Sequence, residues 1–108
     1  MTDESKKHVA ILGSTGSIGT QALEVMSEQA DRFVVEVLTA HSNAELLIEQ
    51  ALVYRPNAVV IGDEGKFEAV RDALWDAGIK VYAGAEALEQ VVEMEEIDVV
   101  LTALVGYA

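Results

Sequence analysis

Cysteine is absent from this chain, and with it go disulfides, zinc–thiolate sites, iron–sulfur clusters and thiol chemistry. A cysteine-free sequence suits a reducing cytosol, so the cytoplasm is the expected compartment. Basic residues are scarce too: 7 Lys and Arg against 19 Asp and Glu give a formal net charge of −12. That balance excludes nucleic acid and anionic membranes as bulk partners, since both need a basic surface. It leaves room for a small anionic ligand, because helix N-termini and backbone amides bind phosphate even in an acidic protein. The polar start, Met1 to Lys7, leads into an apolar run, Val9 to Leu12, too short for a signal-peptide core or a membrane span. Aromatics are only 6% of residues, and the apolar 51% is mostly Ala, Val, Leu and Ile. Those side chains fill helix–sheet layers. A chain of 108 residues suffices for one compact domain with little room for a second.

Two hydrophobic periods alternate along the chain. Val9–Leu12 is a continuous apolar run ending at Gly13, as expected of a strand buried on both faces. From Ser17 the spacing becomes helical, with Ile18, Ala22, Val25 and Met26 as the expected apolar stripe. Phe33 to Ala40 reads as a second strand with Val34, Val35, Val37 and Leu38 as its bulk. Ala44, Leu47, Ile48, Ala51 and Leu52 stripe a second helix, N-capped by Asn43 and closed by Pro56, the only proline. Ala58–Ile61 is a third strand ending at Gly62. Phe67, Val70 and Leu74 mark a third helix stopping near Gly78, and Ile79–Tyr82 a fourth strand. Leu88, Val91 and Val92 stripe a fourth helix, and Val99–Leu101 begins a fifth strand after Asp98. Strand and helix in strict alternation, with short connections, predict a doubly wound, three-layer α/β fold with a parallel sheet, Rossmann-like in class. The last residues, Leu104 to Ala108, follow a strand with no helix after it. The expectation is therefore one domain, residues 1–108, belonging to a longer polypeptide, because an exposed apolar strand edge invites aggregation.

The chemistry sits at the first turn. Gly13-Ser14-Thr15-Gly16-Ser17-Ile18-Gly19 lies between the first strand and the first helix, where a dinucleotide loop belongs. Glycine at 13 permits a tight turn, glycine at 16 lets the backbone approach a pyrophosphate, and glycine at 19 lets the helix pack near the sheet. The amides from Thr15 to Ile18 would face the phosphates from the positive end of the helix, with hydroxyls of Ser14, Thr15 and Ser17 as further donors. Alternatively the glycines serve only a tight connection. No Lys follows the last glycine, which argues against a nucleoside-triphosphatase P-loop.

The end of the second strand bears on the cofactor. NAD-specific domains place Asp or Glu there to bond the ribose 2′-hydroxyl, whereas Leu38-Thr39-Ala40-His41-Ser42-Asn43 carries no carboxylate until Glu45. An acid there would repel a 2′-phosphate, so its absence favours NADP. His41, Ser42 and the amides around Asn43 offer donors; equally, Asn43 caps its helix and His41 is a solvated turn residue.

With these residues the chain resembles the N-terminal part of the 1-deoxy-D-xylulose 5-phosphate reductoisomerases. The matches are Ile11-Leu12 with the Gly13–Gly19 loop, Phe33, Leu38-Thr39-Ala40 with Asn43, and Ala103-Leu104-Val105-Gly106. The resemblance implies that Thr15, Gly16, Ser17 and Ile18 contact the pyrophosphate side of NADPH. It also implies that His41, Ser42 and Asn43 lie beside the adenosine ribose and its 2′-phosphate. Many family members carry Gly-Lys, Gly-Arg or Gly-Ser before that Asn; His41-Ser42 supplies no permanent cation. Family members are several times longer, with the Mg or Mn ligands, the sugar-phosphate site and the lid in a later catalytic region. They rearrange 1-deoxy-D-xylulose 5-phosphate and reduce the product with NADPH to 2-C-methyl-D-erythritol 4-phosphate, in non-mevalonate isoprenoid biosynthesis, as expected homodimers. On that reading residues 1–108 hold no catalytic or metal-binding residue and are inactive alone.

Three rivals compete. A phosphoacceptor receiver would use Asp63 but needs an acidic pair after the first strand, where Gly13-Ser14-Thr15 stands, and a Lys after the fifth, where Leu101–Ala108 has none. A freestanding, non-catalytic nucleotide-binding module and another NADP-dependent dehydrogenase domain share the loop. Glu93, Glu95 and Glu96 read as a solvated face, and Asp98 as a strand start. Protonation of His41 beside a phosphate would make NADPH affinity rise as pH falls; titrations between about pH 8 and about pH 6 check this, and a flat profile contradicts it.

Overall fold

The structure, a computed structural model, describes residues 6–91 and 93–102. Five parallel strands form one sheet: β1 (Lys7–Leu12), β2 (Phe33–Ala40), β3 (Ala58–Ile61), β4 (Lys80–Ala83) and β5 (Val99–Thr102). They are connected by α1 (Ser17–Glu28), α2 (Ala44–Tyr54), α3 (Phe67–Leu74) and α4 (Ala85–Val91), with a 3-10 turn at Glu64–Lys66 before α3. The sheet order is β4-β3-β2-β1-β5. The chain thus steps outward from β1 to β4, then crosses back to place β5 on the other side of β1.

The two faces of the sheet sort the helices. Val9, Ile11, Leu38, Val59 and Ile61 face one way and pack against Leu23 and Met26 of α1, Leu47 and Ala51 of α2, and Val70 and Leu74 of α3. The alternate residues Ala10, Val37, Ala58 and Val60 face the other way and meet Val91, Ala87 and Leu88 of α4. Helices on opposite faces are what crossovers of a single hand require when the direction of travel reverses. The expected doubly wound, three-layer α/β fold is the observed one. Val92, expected in the stripe of the fourth helix, and the stretch from Ala103 to Ala108 lie outside the described residues.

Several local expectations change. On α1 the inward residues are Gly19, Leu23 and Met26, while Ile18 and Val25 are 45% and 52% exposed. Gly19 decides this rotation. A Cβ there would lie 2.4 Å from the Gly13 carbonyl oxygen and 2.6 Å from Ser14 Cα, so the helix sits against the preceding loop on that face and turns Ile18 outward. On α2, Leu52 is exposed and Gln50 is buried in its place.

β2 is not uniform either. Val9 pairs with Val35 but Ala10 with Val37, so Glu36 is the extra residue of a bulge. Its buried carboxylate accepts from His8 Nδ1 and from Asn57 Nδ2, each at 2.5 Å. Asp98 bonds the backbone N–H of His8 at 2.9 Å and its own N–H bonds the His8 carbonyl at 2.8 Å; it fixes the start of β5, as expected. Arg55, in the left-handed region at φ 56°, ends α2 just before Pro56.

Gly19→Ala should cost at least about 2 kcal/mol, because backbone must move to admit the methyl. Gly78→Ala, at φ 75° but with open space around it, should cost only about 1 kcal/mol. Urea denaturation of the two variants checks the order, and equal losses would contradict the steric account of Gly19.

Candidate nucleotide site

β1 ends where its neighbour β2 stops the chain. The Thr39 carbonyl accepts from the N–H of both Gly13, at 3.1 Å, and Ser14, at 2.8 Å, and Thr39 Oγ1 also accepts from Gly13 N–H at 3.0 Å. Gly13 takes φ 84° to make that turn, a conformation open to glycine at little cost. The loop leaves the sheet there and α1 begins immediately over the end of β1. This lies beside the point where sheet order reverses, with β2 on one side of β1 and β5 on the other. Ligands of open α/β sheets bind in that crevice.

The start of α1 carries no charged side chain. Gly16 occupies the N-cap position with no side-chain cap, and the first turn carries no acid. Gly16 N–H bonds the Gly13 carbonyl at 3.2 Å and Thr20 N–H the Gly16 carbonyl at 2.9 Å. Among the described residues, the N–H groups of Thr15, Ser17 and Ile18 have no acceptor. Gly16, Ser17 and Ile18 are exposed and Thr15 half-buried. A Cβ on Gly16 would find only the Gly13 carbonyl oxygen, at 3.7 Å. The fold tolerates a side chain at 16, so a glycine there leaves open room rather than relieving a clash. Free amides, a positive helix end and open space suit a pyrophosphate.

Ser14 corrects one expectation. Its side chain is fully buried, and its hydroxyl donates to Gln50 Oε1 at 2.7 Å. It is not a phosphate donor. Gln50, which sequence reasoning missed, lies inside α2, and only its polarity on an otherwise apolar face could have flagged it.

The second segment sits at the end of β2. His41, Ser42 and Asn43 are all exposed. Asn43 caps α2 as expected, its Oδ1 accepting from Leu46 N–H at 3.2 Å, which leaves its Nδ2 free to donate outward. The His41 carbonyl accepts from Asp63 N–H at 2.7 Å, and its ring lies against Gly62, where a Cβ would come 2.9 Å from Nδ1. Asp63 itself caps the 3-10 turn through Gly65 N–H at 3.0 Å.

Gly13 and His41 share a cleft of about 460 Å³ at the C-terminal ends of β1 to β4, floored by Thr39 and Val60 and walled by Gly62, Gly84 and Leu88. Thr15, Gly16, Ser17, Ile18, Ser42 and Asn43 do not line it. Two of the walls are glycines that follow strands, a signal present in the sequence but shared with ordinary turns. Among the described residues no three His, Asp or Glu side chains gather as a metal site. No helix there is long and apolar enough to cross a membrane.

Replacing Asn43 by Ala should cost about 1 kcal/mol through the lost cap, whereas Gly16→Ala should stay within about 0.5 kcal/mol of the parent. Thermal or urea unfolding checks both, and a large loss at Gly16 would contradict the open geometry.

The sequence pattern of the 1-deoxy-D-xylulose 5-phosphate reductoisomerase family matches residues 9–108. The enzyme of that name from Bacteroides fragilis is 56% identical over 108 residues, covering 100% of this chain and 28% of its own length. The Phocaeicola vulgatus enzyme is 55% identical over 103 residues, covering 95% of this chain and 27% of its own. Among solved structures, the Zymomonas mobilis reductoisomerase in complex with NADPH superposes with TM-score 0.79 at 32% identity, over 82% of this chain and 24% of that one. A reductoisomerase in complex with NADPH, fosmidomycin and magnesium gives TM-score 0.82 at 26% identity, over 87% and 23%. The chain thus spans a little over a quarter of the length of the relatives it matches. It belongs to the 1-deoxy-D-xylulose 5-phosphate reductoisomerase family.

Proposed function

We propose that this chain is the NADPH-binding portion of a 1-deoxy-D-xylulose 5-phosphate reductoisomerase. The whole enzyme converts 1-deoxy-D-xylulose 5-phosphate to 2-C-methyl-D-erythritol 4-phosphate in the non-mevalonate route to isoprenoids, as a cytoplasmic homodimer. The observation that carries the reading is the uncapped, acid-free start of α1, with amides of Thr15, Ser17 and Ile18 lacking acceptors, in a member of this family. NADPH, when bound, supplies the hydride. Thr15, Ser17 and Ile18 hold the pyrophosphate through their N–H groups, and Gly16 lets it approach. The cleft at Gly13, Thr39 and Gly62 takes the adenosine. His41, Ser42 and the Asn43 Nδ2 group donate to the 2′-phosphate at a point where β2 brings no carboxylate.

The magnesium named with relatives finds no fitting donor set among the described residues. The chain by itself is expected to be inactive: the residues assigned here bind and orient the cofactor and none moves a proton or a carbon bond.

Fluorescence titration of the chain should give NADPH binding tighter than NADH by about tenfold or more; tighter NADH would overturn the assignment. Asn43→Asp keeps an acceptor for the cap but sets a carboxylate near the 2′-phosphate. It should leave stability within about 0.5 kcal/mol and lower the NADPH preference by about tenfold.

A further inference from the structure

We propose that Gln50 is the positioning residue of the glycine loop: its carboxamide clamps the hydroxyl and carbonyl of Ser14 and so fixes where the loop amides that follow are presented. The proposal rests on the cofactor reading above for its ligand, and on geometry alone for the positioning.

Gln50 is 6% exposed and lies between Leu47 and Ala51 on the face of α2 that packs on the sheet. An aliphatic side chain would pack there without needing a partner, whereas a buried carboxamide is costly unless both ends are bonded. Both ends are bonded, and to one residue. Oε1 accepts from Ser14 Oγ at 2.7 Å and Nε2 donates to the Ser14 carbonyl at 2.8 Å.

That carbonyl lies two residues ahead of the Gly16 N-cap, outside α1. Here it accepts from Gln50, with Thr20 Oγ1 a longer second donor at 3.5 Å. The Gly13 carbonyl is likewise engaged by Gly16 N–H. The N–H groups of Ser17 and Ile18 belong to the first turn of α1, whose amides have no partner within the helix, so what Gln50 fixes is the place of Ser14 from which that turn starts. Ser14 N–H is held in turn by the Thr39 carbonyl. Ser14 is therefore pinned on its N–H, carbonyl and hydroxyl, and the four residues after it start from a fixed point.

The same helix begins at Asn43. Seven residues of α-helix separate Asn43 from Gln50, about 10 Å. One rigid element thus sets both the pyrophosphate loop and the segment assigned to the 2′-phosphate.

The test compares the parent chain with Gln50→Glu, Gln50→Leu and Ala51→Gly. Glu is isosteric; ionised, it can accept from Ser14 Oγ but cannot donate to the Ser14 carbonyl. Leu removes both bonds and keeps apolar volume, so at least one variant folds if burial of the charge unfolds the other. Ala51→Gly loosens the same helix by about 1 kcal/mol without touching the clamp. Two readouts are taken: the heteronuclear NOE of the backbone amides of Thr15 to Ile18 together with hydrogen exchange at Ser14, and NADPH affinity by titration. Gln50→Glu or Gln50→Leu should lower the loop NOE, speed Ser14 exchange and weaken NADPH about tenfold, while Ala51→Gly should change none of these beyond its global stability. A folded Gln50 variant with parental loop order, or equal loop loosening in Ala51→Gly, overturns the positioning role. A parent chain that binds NADH more tightly than NADPH overturns the cofactor reading, and the loop-order comparison then decides Gln50 on its own.

Discussion

One carbonyl holds the site end of this molecule in place. Thr39, near the end of β2, accepts two successive backbone N–H groups from Gly13 and Ser14, and its hydroxyl accepts a further bond from the first of them. Those bonds end β1 and turn the chain out of the sheet at a positive φ that glycine accommodates. Everything downstream inherits that point. Gly19 packs its missing Cβ against the turn, which orients α1. The orientation of α1 decides which of its residues meet the sheet and where its uncapped start lies. Because Gln50 grips the next residue, α2 is tied to the same point from the other side.

The electrostatics work on two scales. The chain as a whole carries a formal charge of −12, which discourages polyanions but does not govern a site a few ångströms across, since exposed charges beyond a Debye length are screened. Locally the first turn of α1 has no acid, and β2 brings none from Val37 to Asn43. Of the acids around it, Asp63 caps a turn, Glu45 lies exposed in the first turn of α2, and the Glu64 carboxylate lies against Gly84 at the cleft wall. An anion is favoured where free N–H groups converge, even on an acidic protein.

How much of this was legible beforehand varied with the kind of interaction. Apolar runs alternating with stripes of period 3.6 placed the five strands and four helices in order, because burial of a whole strand or helix face repeats along the chain; the 3-10 turn at Glu64–Lys66 was not anticipated. The Gly13–Gly19 loop and the Asn43 cap were legible because each is a local demand on backbone conformation or on an orphan N–H. The face of α1 was not: Ile18 and Val25 match a helical period as well as Leu23 does, and only the contact of Gly19 with a distant turn chose between them. Nor were Glu36 and Gln50 legible, since a polar residue in an apolar pattern looks exposed until its partners, His8 and Asn57 or Ser14, are brought beside it.

The amino-acid sequence by itself determined the fold class, the position of the glycine loop and the absence of an acid at the end of β2, features legible in runs, stripes and turns of neighbouring residues. The tertiary structure decided the rest. It removed Ser14 from the list of ligand donors, left the amides of Thr15, Ser17 and Ile18 without acceptors, and joined Gly13 to His41 across one cleft. Those outcomes depend on contacts between groups 26 to 36 residues apart, which exist only once the sheet brings them together.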